Sequence, residues 1–147
     1  MSIKPVEYYT MLCNSLIMKK IMKPRLKACP PKPELTARPL VSIQQAQILE
    51  STFKMLANTT RLRMLHALIR AGDLCVGELA DKLGMKPQAV SNQLQRLANC
   101  GIVEARREGV QIRYSIVDPC VPALLHQGWC LAEDAQARSA DRTGVIA

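Results

Sequence analysis

Glycines at 72, 84 and 101 cut residues 59–101 into three stretches of helical periodicity, and this punctuation constrains the fold more than any other feature of the chain. In "NTTRLRMLHALIRAG", Thr59 or Thr60 can cap a helix with Leu62, Leu65, Leu68 and Ile69 inward and Gly72 as its stop. "DLCVGELADKLG", residues 73–84, reads as a short amphipathic helix with Cys75 in its first turn. Val76, Leu79, Ala80 and Leu83 recur there at the spacing of one buried face, so Cys75 is either one more small hydrophobe or an outward ligand. In "KPQAVSNQLQRLANCG", Pro87 suits the first helical turn and Val90, Leu94, Leu97 and Ala98 face inward.

The flanks extend this order. Ser42 can cap an earlier helix with Ala46, Leu49, Phe53, Leu56 and Ala57 as its apolar stripe. After Gly101 the period changes from 3.6 to 2: Val110, Ile112, Tyr114 and Ile116 alternate with Gln111, Arg113 and Ser115, and Glu108-Gly109 marks a tight turn. That is a two-stranded hairpin. Asp118 and Pro119 open a last helix with Val121, Leu124, Leu125, Leu131 and Ala132 apolar. Aromatic residues make up only 3% of the chain, so the core is packed from aliphatic side chains, which suits a mainly α protein. Residues 1–42, with prolines at 24, 30, 31, 33 and 39, read as a basic tether; 43–135 form the folded domain and 136–147 a polar tail.

The formal charge of +8 points to a polyanionic partner. Residues 1–42 hold eight basic groups against two acidic ones, a net +6, and the rest of the chain holds twelve against ten, a net +2. The basicity therefore belongs mainly to the tail. Six cysteines, at 13, 29, 75, 100, 120 and 130, form no CxxC pair, which gives no support to zinc-ribbon or thioredoxin readings. No segment approaches the roughly 20 apolar residues of a membrane span. A cytoplasmic protein with reduced thiols and no membrane association is expected. With no Gly-rich phosphate loop and no recognisable Cys/His spacing, enzymatic activity is not expected.

A short helix, a turn at Gly84 and a second helix bearing Gln88, Ser91, Asn92, Gln93, Gln95 and Arg96 have the layout of a helix-turn-helix, in which the second helix enters the major groove. Gln and Asn pair with adenine edges and Arg with guanine, so double-stranded DNA is the expected partner. Lys86 precedes that helix, and Arg106, Arg107 and Arg113 on the hairpin supply a wing for phosphates or the minor groove.

"FKMLANTTRLRMLHAL", "AGDLCVGELADKLGMKPQAVSNQLQRLANCGIV" and "REGVQIRYSIVD" resemble the ArsR/SmtB family of winged-helix repressors over roughly residues 45–135. The resemblance implies five core helices with a two-stranded wing. It also implies a homodimer joined through the first and last helices, which represses a metal-resistance operon at a palindromic operator and lets go when its inducer binds. Asn92 stands where many members have His, and Lys86 where a Ser or Thr cap is common, so base preference does not transfer.

The resemblance also implies an inducer site. Cadmium-sensing and SmtB-like members hold a thiol in the first turn of the third helix, where Cys75 falls; it is joined there by ligands from the partner's N-terminal segment. Gly77 replaces the second thiol of thiol-rich members, and Glu78 takes the nearby carboxylate position. Cys29, ahead of Cys13, is the expected cross-protomer ligand, and Cys100 is a further candidate. Cys120 and Cys130 lie on the last helix, where zinc-sensing relatives place an Asp/His set. Asp118 and Cys120 match its first two positions, but Leu131 and Asp134 replace the later His and Glu. Six thiols against His66 and His126 favour a soft inducer, Hg(II) first, then Cd(II), Pb(II) or As(III), over Zn(II) or Ni(II). No organic cofactor is expected. The competing reading is a repressor of the same fold that senses oxidants or persulfides through its thiols.

Overall fold

The computed structural model describes residues 31–144. After a single 3-10 turn at Leu35–Ala37, the order is α1 (Ile43–Leu56), α2 (Thr59–Ala71), β1 (Asp73–Cys75), α3 (Val76–Leu83), α4 (Pro87–Asn99), β2 (Val103–Glu108), β3 (Gln111–Ile116) and α5 (Cys120–Gly144). Among the described residues this is the mainly helical winged helix-turn-helix expected, with five helices. No helix among them is long and apolar enough to cross a membrane.

Local chemistry explains the boundaries. Ser42 closes a reciprocal capping box on α1: its hydroxyl accepts from Gln45 N–H at 3.2 Å, and Gln45 Oε1 accepts from Ser42 N–H at 2.9 Å. The cap of α2 is Asn58, not Thr59 or Thr60. Asn58 holds extended backbone and its Oδ1 accepts from Arg61 N–H at 3.1 Å, so both threonines are already helical. Gly84 and Gly101 do matching work at the ends of α3 and α4. Each has a positive φ, +65° and +69°, and the next N–H reaches back to close a Schellman turn, Met85 to Ala80 O at 3.0 Å and Ile102 to Leu97 O at 3.0 Å. Each helix of the helix-turn-helix pair thus ends on a left-handed glycine that a side chain would strain.

Met64, Leu65 and Leu68 of α2, Leu79 of α3, and Val90, Leu94 and Leu97 of α4 are completely buried against one another. Leu62 lies at the edge of the α2 stripe and is exposed, while Met64, which the leucine spacing passes over, takes the inner position. Leu74, Val103 and Ile116 seal this core from the sheet side.

The sheet has a third strand. Residues 73–75, which periodicity assigns to the start of α3, instead form β1 and pair antiparallel with β3: Asp73 with Ser115, Leu74 with Tyr114, Cys75 with Arg113. The order is β1-β3-β2. Period-two alternation then sends Leu74 into the core and puts Asp73 and Cys75 on the opposite face, beside Arg113.

α1 and α5 are different. Of the α1 side chains only Leu56 is buried; Ile48 is 70% and Phe53 48% exposed. α5 packs through Val121 and Leu125 but leaves Leu131 66% exposed. It also runs on to Gly144, through the stretch read as a polar tail, because "AEDAQAR" is rich in residues with high helix propensity.

Candidate DNA-reading face and thiol sites

α4 presents its polar side outward. Gln88, Asn92, Gln95 and Arg96 are exposed, with Gln88 Nε2 donating to Asn92 Oδ1 at 3.1 Å and Gln95 Nε2 to Asn99 Oδ1 at 3.0 Å. These internal amide pairs hold the amides in register along one edge, and each leaves hydrogen-bonding capacity for a base edge. Lys86 occupies the N-cap position without a side-chain cap, its ammonium exposed beside the positive end of the helix. Ser91 and Gln93 are half-buried. Gln93 turns back to α2, its Oε1 accepting from Arg61 at 3.4 Å. Arg61, which the sequence did not single out, also donates to Lys54 O and has a buried Nε with no hydrogen-bond partner. It ties α1, α2 and α4 together at the root of the reading helix.

On the wing, Arg106 and Arg107 are exposed and fall on opposite faces of β2, one paired with Glu108 at 3.3 Å and the other donating to Gly109 O at 3.2 Å. Arg113 is placed otherwise. Its guanidinium, about one-fifth exposed, bonds Asp73 Oδ1 at 2.8 Å and Asp73 O at 3.2 Å, stands 3.4 Å from Glu78 Oε2 and 3.6 Å from Glu108 Oε2. Three carboxylates converge on one cation, which stabilises its charged form; the Asp73 hydrogen bond is the leading cause. Arg113 is therefore committed to the junction of β1, α3 and the wing, because β1 brings Asp73 beside it.

Cys75 sits at that junction as the N-cap of α3, one step before the first turn to which the sequence assigned it. Glu78, in the third helical position, accepts from Cys75 N–H at 2.8 Å, the pattern of a capping box with cysteine in the serine's place. That bond, then contact with the Cys75 side chain, and more weakly the Arg113 charge, hold the Glu78 carboxyl below the usual carboxylate range. Cys75 is half-buried rather than in the core. Thiol and carboxylate on one turn offer two donors on the outer face of the sheet. They fit part of a metal site, and a third donor must come from elsewhere.

Among the described residues the other thiols do not join them. Cys100 is exposed at the end of α4. Cys120 begins α5, its N–H capped by Asp118 Oδ1 at 2.8 Å, and Cys130 follows about three turns later. Among the described residues no three His, Cys, Asp or Glu side chains form a metal-holding group. Cys13 and Cys29 lie outside the described residues. One pairing escaped the sequence reading: Cys130 Sγ is 3.8 Å from His126 Nε2. Its signal was the i, i+4 spacing on a helix.

Residues 58–105 match the family described as bacterial regulatory protein, arsR family. An 85-residue stretch is 40% identical to a probable mercury resistance operon repressor of Streptomyces lividans, covering 58% of this chain and 67% of that protein. The fold superposes on the crystal structure of the AntR antimony-specific transcriptional repressor with a TM-score of 0.63 and 55% identity, covering 75% of this chain and 99% of that one. A homodimeric winged helix-turn-helix DNA-binding domain from Mycobacterium bovis matches with a TM-score of 0.54 and 33% identity, covering 66% of this chain and 92% of that one.

Proposed function

The chain belongs to the arsR family of bacterial regulatory proteins, which are DNA-binding transcription regulators and not enzymes, and from that premise we propose that it represses a metal-resistance operon and leaves its operator when a thiophilic metal engages Cys75. The observation that carries this reading is the junction of Cys75, Glu78 and Arg113, which joins a thiol to both the helix-turn-helix and the wing.

The active repressor is a homodimer. Ile48, Phe53 and Leu131 on α1 and α5 leave apolar surface that a second copy covers, in keeping with the homodimeric relative. Two α4 helices then enter successive major grooves of a palindromic site about one helical turn apart. Gln88, Asn92, Gln95 and Arg96 read base edges; Lys86, Arg106 and Arg107 hold phosphates, and Ser91 and Gln93 support the face from its rim.

Cys75 and Glu78 would hold the ion, with Cys29 or Cys13 of the basic tail, or Cys100, completing the set; Cys120 and Cys130 are further thiols that need a second protomer to meet. A bound soft ion supplies strong thiolate links between segments that are otherwise separate. Both the Cys75 N–H and Arg113 engage Glu78 Oε2, which leaves Oε1 for an ion; an ion held there would draw carboxylate charge from Oε2 and loosen the clasp between α3 and the wing. Drawing the basic tail from DNA phosphates weakens binding further. A shift of about 1.4 kcal/mol already changes operator affinity tenfold. Hg(II) is the first choice, since two or three thiolates from different segments satisfy it. The mercury and antimony of the two relatives' names are both thiophilic, which supports a soft ion and adds Sb(III) to As(III), Cd(II) and Pb(II).

Operator release is measured by fluorescence anisotropy of the reduced protein against each ion. Cys75→Ser is expected to raise the concentration needed for release at least tenfold without altering apo affinity. Unchanged release in that variant overturns the assignment.

A further inference from the structure

We propose that Glu108 is an internal stand-in for a DNA phosphate, shared by Arg106 and Arg113, and that it sets how firmly the wing grips the DNA backbone. The strand register brings the two arginines together. In the order β1-β3-β2, Cys75 stands opposite Arg113 and Arg113 opposite Arg106, so the three share one cross-strand row and one face of the sheet. Like charges directly opposite one another destabilise a strand pair, and an anion between them relieves the repulsion. Glu108 supplies that anion. Two residues along β2 from Arg106 and on the same face, its Oε1 accepts from Arg106 Nη2 at 3.3 Å, and its Oε2 lies 3.6 Å from Arg113 Nε.

The two arginines are unequal partners. Arg113 is also bound by Asp73 and faces Glu78, whereas the Arg106 side chain is 46% exposed and can turn outward to a phosphate. To do so it exchanges one charge-assisted bond for another, so its net gain on DNA is smaller than that of an unrestrained arginine. Arg107, on the opposite face of β2, is the contrast: it donates to Gly109 O, a neutral acceptor. By taking part of the Glu108 charge, Arg113 lightens the restraint on Arg106; it is a positioning residue that acts through Glu108. A wing held in check this way leaves more of the affinity to base contacts from α4, since phosphate contacts carry no sequence information. The inference rests on the reading that the wing lies against the DNA backbone, and it is independent of the inducer site.

The test is fluorescence anisotropy of a labelled mixed-sequence DNA duplex at low salt, titrated with the reduced full-length protein. Any duplex serves, because the contact in question is to phosphate. Glu108→Gln should tighten binding about threefold, the scale of releasing one exposed ion pair, and should steepen the dependence on salt. The same substitution is then made in three further backgrounds. Its gain should largely disappear in Arg106→Gln, grow in Arg113→Gln, where Glu108 rests on Arg106 alone, and stay the same in Arg107→Gln. Arg113→Lys, which keeps the charge, should return the gain toward that of the natural chain. Circular dichroism and melting of each variant show that the fold is kept. Removal of a negative charge near DNA, acting without Arg106, gives the same gain in every background; that result overturns the proposal and leaves the repressor reading standing. Unchanged affinity in Glu108→Gln overturns it as well, and a natural chain that binds no duplex overturns both.

Discussion

The three inner helices and the two outer ones satisfy their apolar residues in different ways. In α2, α3 and α4, Met64, Leu65, Leu68, Leu79, Val90 and Leu97 are completely buried within one chain, and Leu94 touches no solvent at all. In α1 and α5, Ile48, Phe53 and Leu131 remain largely open to it. The first group is a finished core and holds the DNA-reading helix rigidly. The second is half of a core, which in the proposed homodimer a second copy completes. The same aliphatic composition thus serves folding in one place and assembly in the other.

The largest expected effect breaks the first half of that comparison. Leu94→Ala removes a fully buried side chain between α4 and its neighbours and should lower stability by about 2–5 kcal/mol in urea unfolding. Both DNA binding and dimerisation should fall with it. Phe53→Glu with Ile48→Glu addresses the other half: helical circular dichroism should survive, while sedimentation shows a monomer. Operator affinity should drop about a hundredfold, roughly 2.7 kcal/mol, as two linked half-sites become separate. If the double variant unfolds instead, the outer helices belong to the core and the comparison fails. Gly84→Ala comes next, at about 1–2 kcal/mol, because the alanine must hold a left-handed conformation.

What the sequence disclosed follows the same division. The stripes Val90, Leu94, Leu97 and Leu79, Ala80 were legible because helical spacing and burial agree within one chain. The alternation from Val110 to Ile116 was legible because a hairpin is a local structure. β1 was not, since three residues become a strand only when Ser115, some forty residues on, comes alongside. That non-local pairing moved Cys75 from first turn to N-cap, and it also turned Arg113 from an apparent wing contact into a clasp on Asp73 and Glu78. Gln93 was misleading for a similar reason: its partner Arg61 lies on another helix. The α1 stripe was read correctly as apolar, yet spacing alone does not tell whether its cover is the same chain or another.

The smallest expected effect concerns the clasp that joins the finished core to the thiol. Glu78 accepts the Cys75 N–H and faces Arg113, so its ionised form is favoured in the folded protein relative to the unfolded one. A carboxyl with a depressed folded value contributes stability that is complete above the ordinary carboxylate range and is lost as pH falls through the lowered value. The pH-dependence of the melting temperature should therefore be slightly steeper in acid for the natural chain than for Glu78→Gln, with the two curves converging below the lowered value. At neutral pH the glutamine variant should melt slightly lower, because an amide accepts the Cys75 N–H but gives Arg113 no charge. Carbon-detected NMR of the carboxyl should show Glu78 titrating below the usual carboxylate range, and the shift should be lost in Arg113→Gln only in part, since the leading cause is the Cys75 N–H. If Glu78 titrates within the usual carboxylate range, the clasp is open in solution and the path from Cys75 to the wing must run through Asp73 and β1 alone.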